Sequence, residues 1–202
     1  MKKEMIMGKI LVTVVLLATF SMAGTMKDSR DGQTYKTVKI GDQVWMAENL
    51  NVNVSGSMCY DNAPANCEKY GRLYTWEAAM NACPSGWHLP STEEFETLLS
   101  NVGSSGKERG ENLRAASYRA DKFGFSALPA GFYNSSFKEF NNLGRRAYFW
   151  SSTEGASGYY ADDLAIIGYD AIVSYYGKDD GASVSSCGKG GGFSVRCLQD
   201  SN

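Results

Sequence analysis

The sequence predicts an α+β domain with its helices gathered in the first half, on three observations. A short hairpin opens the ordered part of the chain, two helical periodicities follow it, and from about residue 120 short aromatic runs alternate with Gly, Asn and Ser turns. This order lacks the regular strand–helix alternation that a parallel sheet requires. The 202 residues are 43% hydrophobic and 21% charged, with 22 Gly and only 4 Pro, which fits one ordered globular unit and excludes a disordered or collagen-like chain.

Each element has a local signature. Tyr35 to Ile40 sets apolar Tyr35, Val38 and Ile40 among Lys36 and Lys39, Gly41-Asp42 supplies a two-residue turn, and Gln43 to Ala47 returns antiparallel. Thr75 then caps a helix whose Trp76, Ala79, Met80 and Cys83 share one face, until Pro84-Ser85-Gly86 breaks it. A second helix is signalled by a capping box of Ser91 and Glu94, with Phe95, Leu98, Leu99 and Val102 on its apolar face and Gly103 at its end. The stretch from Ser104 to Arg109 reads as polar connection, followed by a short helix around Asn112 to Ala116. Strands are predicted at Phe123 to Leu128, Ala147 to Ser152, Tyr159 to Ile167, Ile172 to Tyr176 and Phe193 to Leu198.

The N-terminus carries the three parts of a secretory signal: basic Lys2, Lys3 and Lys9, an apolar stretch from Ile10 to Phe20, and the small-residue Ser21-Met22-Ala23 site. Residues 1–23 are therefore expected to be a signal peptide and 24–202 the mature domain, with no further membrane span and no Cys at the cleavage point for lipid attachment. The expected location is secreted or at the cell surface. The formal net charge of −2 falls to about −4 on cleavage, a balance unsuited to nucleic acid, whose affinity for proteins rests on clustered Lys and Arg.

All five cysteines, Cys59, Cys67, Cys83, Cys187 and Cys197, lie in the mature part, where an oxidising compartment permits disulfides. Asp, Asn and Pro in the loop between Cys59 and Cys67 favour turns that bring those two sulfurs together. No metal and no cofactor is expected, since the single His88 stands without a C-x-x-C pair and no ordered calcium loop occurs. No catalytic constellation is legible either: a lone His makes no triad, G-x-S-x-G is absent, and Asp162-Asp163 and Asp179-Asp180 are chain neighbours whose side chains diverge on a strand. The expectation is a protein that is not an enzyme.

Several segments in order carry a family resemblance: Asp28 to Asn51, Cys59 to Leu99, GFSALPAGFY at Gly124 to Tyr133, FWSSTE at Phe149 to Glu154, and GFSVRCLQD from Gly192. They resemble the Fibrobacter succinogenes major paralogous domain over nearly the whole mature chain. That resemblance implies an exported bacterial protein with a C-type-lectin-like fold and brings no reaction with it. Trp76, Ala79 and Cys83, followed by Gly86 and Leu89, are similar to the first-helix pattern of C-type lectin domains, whose Cys pairs with one in the last strand. The resemblance thus implies a bond between Cys83 and Cys197 and leaves Cys187 free; a bond between Cys187 and Cys197 across the Gly-rich stretch is the alternative. The calcium tripeptides of sugar-binding lectins are missing, and Ser151 and Ser152 stand where the resemblance puts an amide and a carboxylate. His88 to Phe95 and Gly192 to Arg196 are also similar to segments of formylglycine-generating enzymes, but that family's pair of copper-binding cysteines before the terminal segment is not present.

Aromatic residues supply the remaining functional signal. Trp45, Trp76 and Trp87 read as core, whereas adjacent tyrosines on a strand face opposite sides, so each of the pairs Tyr159-Tyr160 and Tyr175-Tyr176 offers a ring to solvent. Trp150, Tyr159, Tyr160, Tyr175 and Tyr176 are the candidate ligand-binding residues. The function these readings favour is a noncatalytic exported binding module whose partner is a polysaccharide or cell-envelope component; a structural or assembly protein of the envelope is the alternative.

Overall fold

A computed structural model describes residues 23–117, 120–167 and 181–201. The protein is α+β, with its strands in antiparallel sheets and its helices short. Strands β1 (Ala23–Lys27), β2 (Thr34–Ile40) and β3 (Gln43–Met46) form a meander, and the predicted turn holds: Ile40 faces Gln43 across Gly41-Asp42. Gly41 takes φ +60°, the left-handed conformation that a tight hairpin turn demands and glycine adopts without penalty.

Between Cys59 and Cys67 the chain is not a plain loop. A 3-10 turn at Tyr60–Asn62 leads into helix α1 (Pro64–Tyr70), with Pro at its start, where the missing N–H costs nothing. The two-stranded ribbon of β4 (Ser57–Met58) and β5 (Leu73–Tyr74) flanks it. Helix α2 (Trp76–Ala79) starts at the predicted Thr75 cap but ends at Ala79, well before Pro84. Met80 is consequently exposed rather than on a buried helix face.

Strand β6 (Trp87–His88) precedes helix α3 (Thr92–Val102), which forms as predicted, with both halves of the Ser91–Glu94 capping box made and Phe95, Leu98, Leu99 and Val102 buried. The polar stretch after it is a helix, not a connection: α4 (Gly106–Leu113) is capped by Ser105 through Glu108 N, and it takes in only Asn112 and Leu113 of the Asn112–Ala116 segment predicted to be helical. Helix α4 lies against the far sheet, where Gly110 meets Gly181 at a distance that leaves no room for a Cβ.

A β7 (Phe132–Asn134) and β8 (Glu139–Asn141) hairpin follows, then a sheet ordered β11-β10-β9, made of β9 (Arg146–Glu154), β10 (Tyr160–Ile167) and β11 (Gly181–Gly188). Phe123 to Leu128 forms no strand; Ala127 makes one bridge to Arg114. The last segment, Gly191 to Leu198, is wholly buried. Instead of one ladder it makes single bridges to three elements, Gly192 with Tyr133, Phe193 with Tyr74 and Ser194 with Phe149. Only β12 (Leu198–Gln199) pairs regularly, closing the sheet β1-β2-β3-β12-β6.

Arg196 locks this crossing. It is fully buried, its Nε donates to Asn49 Oδ1 at 2.7 Å, and its guanidinium donates to the carbonyls of Met46, Phe125 and Ser126 while lying over the Phe125 and Phe149 rings. A guanidinium presents five donors in a planar fork, so one side chain serves acceptors from two separate segments, Met46 to Asn49 and Phe125-Ser126. Two apolar clusters meet at the segment, one around Trp45, Phe95, Phe125 and Phe149, the other around Tyr35, Tyr74, Trp150 and Phe193.

Candidate functional site

The β9–β10 ladder is regular from Arg146–Ile167 to Trp150–Asp163, then breaks and resumes at Glu154–Ala161. Ser151, Ser152 and Thr153 therefore bulge opposite the single residue Asp162. Their polar groups are consumed by the start of α3: Thr92 N donates to Thr153 Oγ1 at 3.0 Å, Ser152 N to the Pro90 carbonyl at 2.8 Å, and Thr92 Oγ1 to Asp162 Oδ2 at 2.8 Å. The serines at this strand thus hold helix to sheet.

Beyond the bulge the sheet ends in an exposed face. Tyr159 is 80% and Tyr160 51% exposed, so both rings of the predicted pair reach solvent. Tyr159 escapes the strand alternation because it precedes β10. The Tyr159 carbonyl accepts from Lys189 N, and the Lys189 carbonyl accepts from Trp76 N at the start of α2. The Lys189 ammonium sits 4.1 Å from the Trp76 ring centroid and forms an ion pair with Glu154. The Trp76 indole N–H donates to the Ser151 carbonyl at 2.8 Å, which fixes its ring. This constellation presents rigid apolar surface with its charges matched internally.

Trp150 does not belong to that face. It is fully buried, its indole N–H donates to the Tyr74 carbonyl at 2.7 Å, and its ring stacks on Phe193 at 4.3 Å. Trp150, read in sequence as a binding residue, is core; Trp76, read as core, is half-buried, packing against the second apolar cluster while the Lys189 ammonium, remote in sequence, lies over its ring. Tyr175 and Tyr176 lie outside the described residues.

Cys59 bonds Cys67 and Cys83 bonds Cys197, while Cys187 is free and half-buried. Cys187 stands opposite Ala161 in the β10–β11 ladder, two residues from Ser185, whose hydroxyl donates to Asp163 Oδ1 at 2.9 Å. Burial, reinforced by Asp162, pushes the Asp163 carboxyl up to about 7 against the lowering effect of Ser185. Its Oδ2 is buried without a hydrogen-bond partner. Burial, with the Asp163 charge adding to it, raises the Cys187 thiol, so it is a poor nucleophile near neutrality.

His88 is not placed as a general base. Its Nδ1 meets Asp200 Oδ1 at 2.7 Å and its Nε2 meets Glu94 Oε1 at 3.0 Å, which leaves neither ring nitrogen open. Partial burial disfavours its charge, but the two carboxylates outweigh it and raise the pKa. Beside them a groove of about 390 Å³ is lined by Asp42, Gln43 and Leu198 among others. Among the described residues, no three His, Cys, Asp or Glu side chains converge as a metal would need, and no helix is long and apolar enough to cross a membrane.

The fold and the site define an α+β, disulfide-bonded domain whose exposed feature is an aromatic face. The family model described as the Fibrobacter succinogenes major domain matches residues 38–199, and the chain belongs to this family. No curated protein and no solved structure matches it.

Proposed function

We propose that this domain is an exported, noncatalytic binding module of C-type-lectin-like fold that contacts a polysaccharide or another cell-surface ligand through Tyr159 and Tyr160. One observation carries the reading: two exposed tyrosines stand at the entry to β10, where the Tyr159 backbone is tied through Lys189 to the start of α2 and the Lys189 ammonium lies over the Trp76 ring. Exposed tyrosine rings offer flat apolar surface on which the apolar faces of sugars can stack. Two disulfides support residence outside the cytoplasm, and the Cys83–Cys197 bond, joining the segment after α2 to the C-terminal strand region, supports the lectin-like frame. His88, held at both nitrogens, supports the noncatalytic reading. A pull-down on insoluble polysaccharides, alongside a glycan array, tests it. Retention on at least one glycan is expected, and its absence from all of them favours an envelope structural role.

A further inference from the structure

Arg72, the residue before β5, holds its guanidinium against a disulfide. Its Nε donates to Ser57 Oγ at 2.9 Å and its Nη2 to the Ser57 carbonyl at 3.4 Å, which fixes the fork on the neighbouring strand β4. Its Nη1 then lies 3.7 Å from Cys59 Sγ and 3.6 Å from Cys67 Sγ, its partners among the described residues. None of the ion pairs formed by the described residues includes Arg72. A neutral disulfide sulfur is a weak acceptor, so a half-buried cation stands without an anion beside a bond whose cleavage produces one. The two sulfurs also differ in access: Cys67 is buried in α1, whereas Cys59 is partly exposed. The Cys83–Cys197 bond is placed differently. Cys197 is fully buried, and Arg30, which bonds the Ala82 carbonyl next to Cys83, is already paired with Asp28 at 2.6 Å.

We propose that Cys59–Cys67 is a redox-labile bond, opened by thiol–disulfide exchange with a small external thiol, whereas Cys83–Cys197 is permanent. A thiolate RS⁻ attacks the accessible Cys59 Sγ, the S–S bond breaks, and its electron pair leaves on Cys67 Sγ as a thiolate facing Arg72 Nη1. A second RS⁻ attacks the outer sulfur of the mixed disulfide and releases the Cys59 thiolate. The protein gains two electrons, two RSH become RSSR, and their two protons pass to the cysteines or to solvent. A thiolate stabilised by a cation leaves faster and makes the reduced form more favourable. Opening this bond also releases a short loop, since it spans 8 residues against 114 for the other.

The test exposes the oxidised full chain, under native conditions at pH 7, to graded ratios of reduced to oxidised glutathione. Thiols are trapped with N-ethylmaleimide over time and mapped by peptide mass spectrometry. Cys59 and Cys67 should become labelled together at a milder ratio, and at least about tenfold faster, than Cys83 and Cys197. Arg72→Met should slow the opening of Cys59–Cys67 about threefold to tenfold and shift its equilibrium toward the disulfide, leaving the other bond unchanged. Arg72→Lys keeps the charge without the fixed fork and should recover part of that rate. The comparison of the two bonds in the parent needs no variant. Both bonds opening together, or Cys83–Cys197 opening first, overturns the proposal. So does an Arg72→Met protein of unchanged circular dichroism whose Cys59–Cys67 bond opens at the parent rate.

Discussion

At the scale of single residues, two buried ionisable groups have different consequences. Asp163 keeps its proton in the folded state to about pH 7, while the unfolded chain loses it near 3.8. Its folded pKa is raised, so the stability it supports is complete below pH 4 and is lost as the pH rises toward 7. A shift of this size corresponds to about 2–3 kcal/mol between pH 5 and pH 7. Urea denaturation of Asp163→Asn should show most of that pH dependence gone, and an undiminished slope would show that another group causes it. His88 acts in the same direction at higher pH: its raised pKa contributes below about 6.5 and fades as the pH climbs past its folded value. Arg196 is of the other kind, since it remains charged at every accessible pH. Arg196→Met strands Asn49 Oδ1 and three carbonyls, and should cost at least about 3 kcal/mol by chemical denaturation. Arg196 reads in sequence as a last-strand residue making a structural ion pair or capping carbonyls, and it caps carbonyls, but which ones was not legible because they lie as far as 150 positions away along the chain; Asp163 reads only as half of an Asp pair.

At the scale of elements, what sequence revealed depended on how local the cause was. The β2–β3 hairpin and α3 were fully legible, since a turn dipeptide and a capping box act within four residues. Ser91→Ala should accordingly cost about 1 kcal/mol, with the loss visible in the thermal midpoint. Most of helix α4 reads as polar connection because Ser104 to Arg109 carries no apolar periodicity, and only its end falls within the helix expected around Asn112; Gly110 is what lets it approach Gly181. The segment Phe193 to Leu198 has the composition of a strand but makes isolated bridges to three neighbours, a non-local arrangement that period-two alternation does not encode. The same limit explains the tryptophans. Tyr159 and Tyr160 announced themselves by adjacency, whereas Trp76 takes its place from Lys189, which comes 113 residues later.

At the scale of the whole molecule, the chain is closed by its disulfides and opened to its surroundings at one aromatic face. The Cys83–Cys197 bond spans 114 residues and the Cys59–Cys67 bond only 8, so in the chain-entropy model their loss should cost about 5 and about 2.5 kcal/mol respectively. Cys83→Ser and Cys197→Ser should lower stability equally and more than Cys59→Ser; unequal effects of the first two would point to a role for Cys187. The family resemblance, both cysteine pairs and the exposed tyrosine pair could be read from sequence. The central claim is that Tyr159 and Tyr160 carry ligand binding without supporting the fold. The most direct measurement compares the parent with the Tyr159→Ala, Tyr160→Ala double variant for retention on a bound polysaccharide and for melting temperature in the same buffer. The account predicts retention reduced by roughly tenfold or more with the melting temperature unchanged within a few degrees. A folded double variant retained like the parent would contradict it.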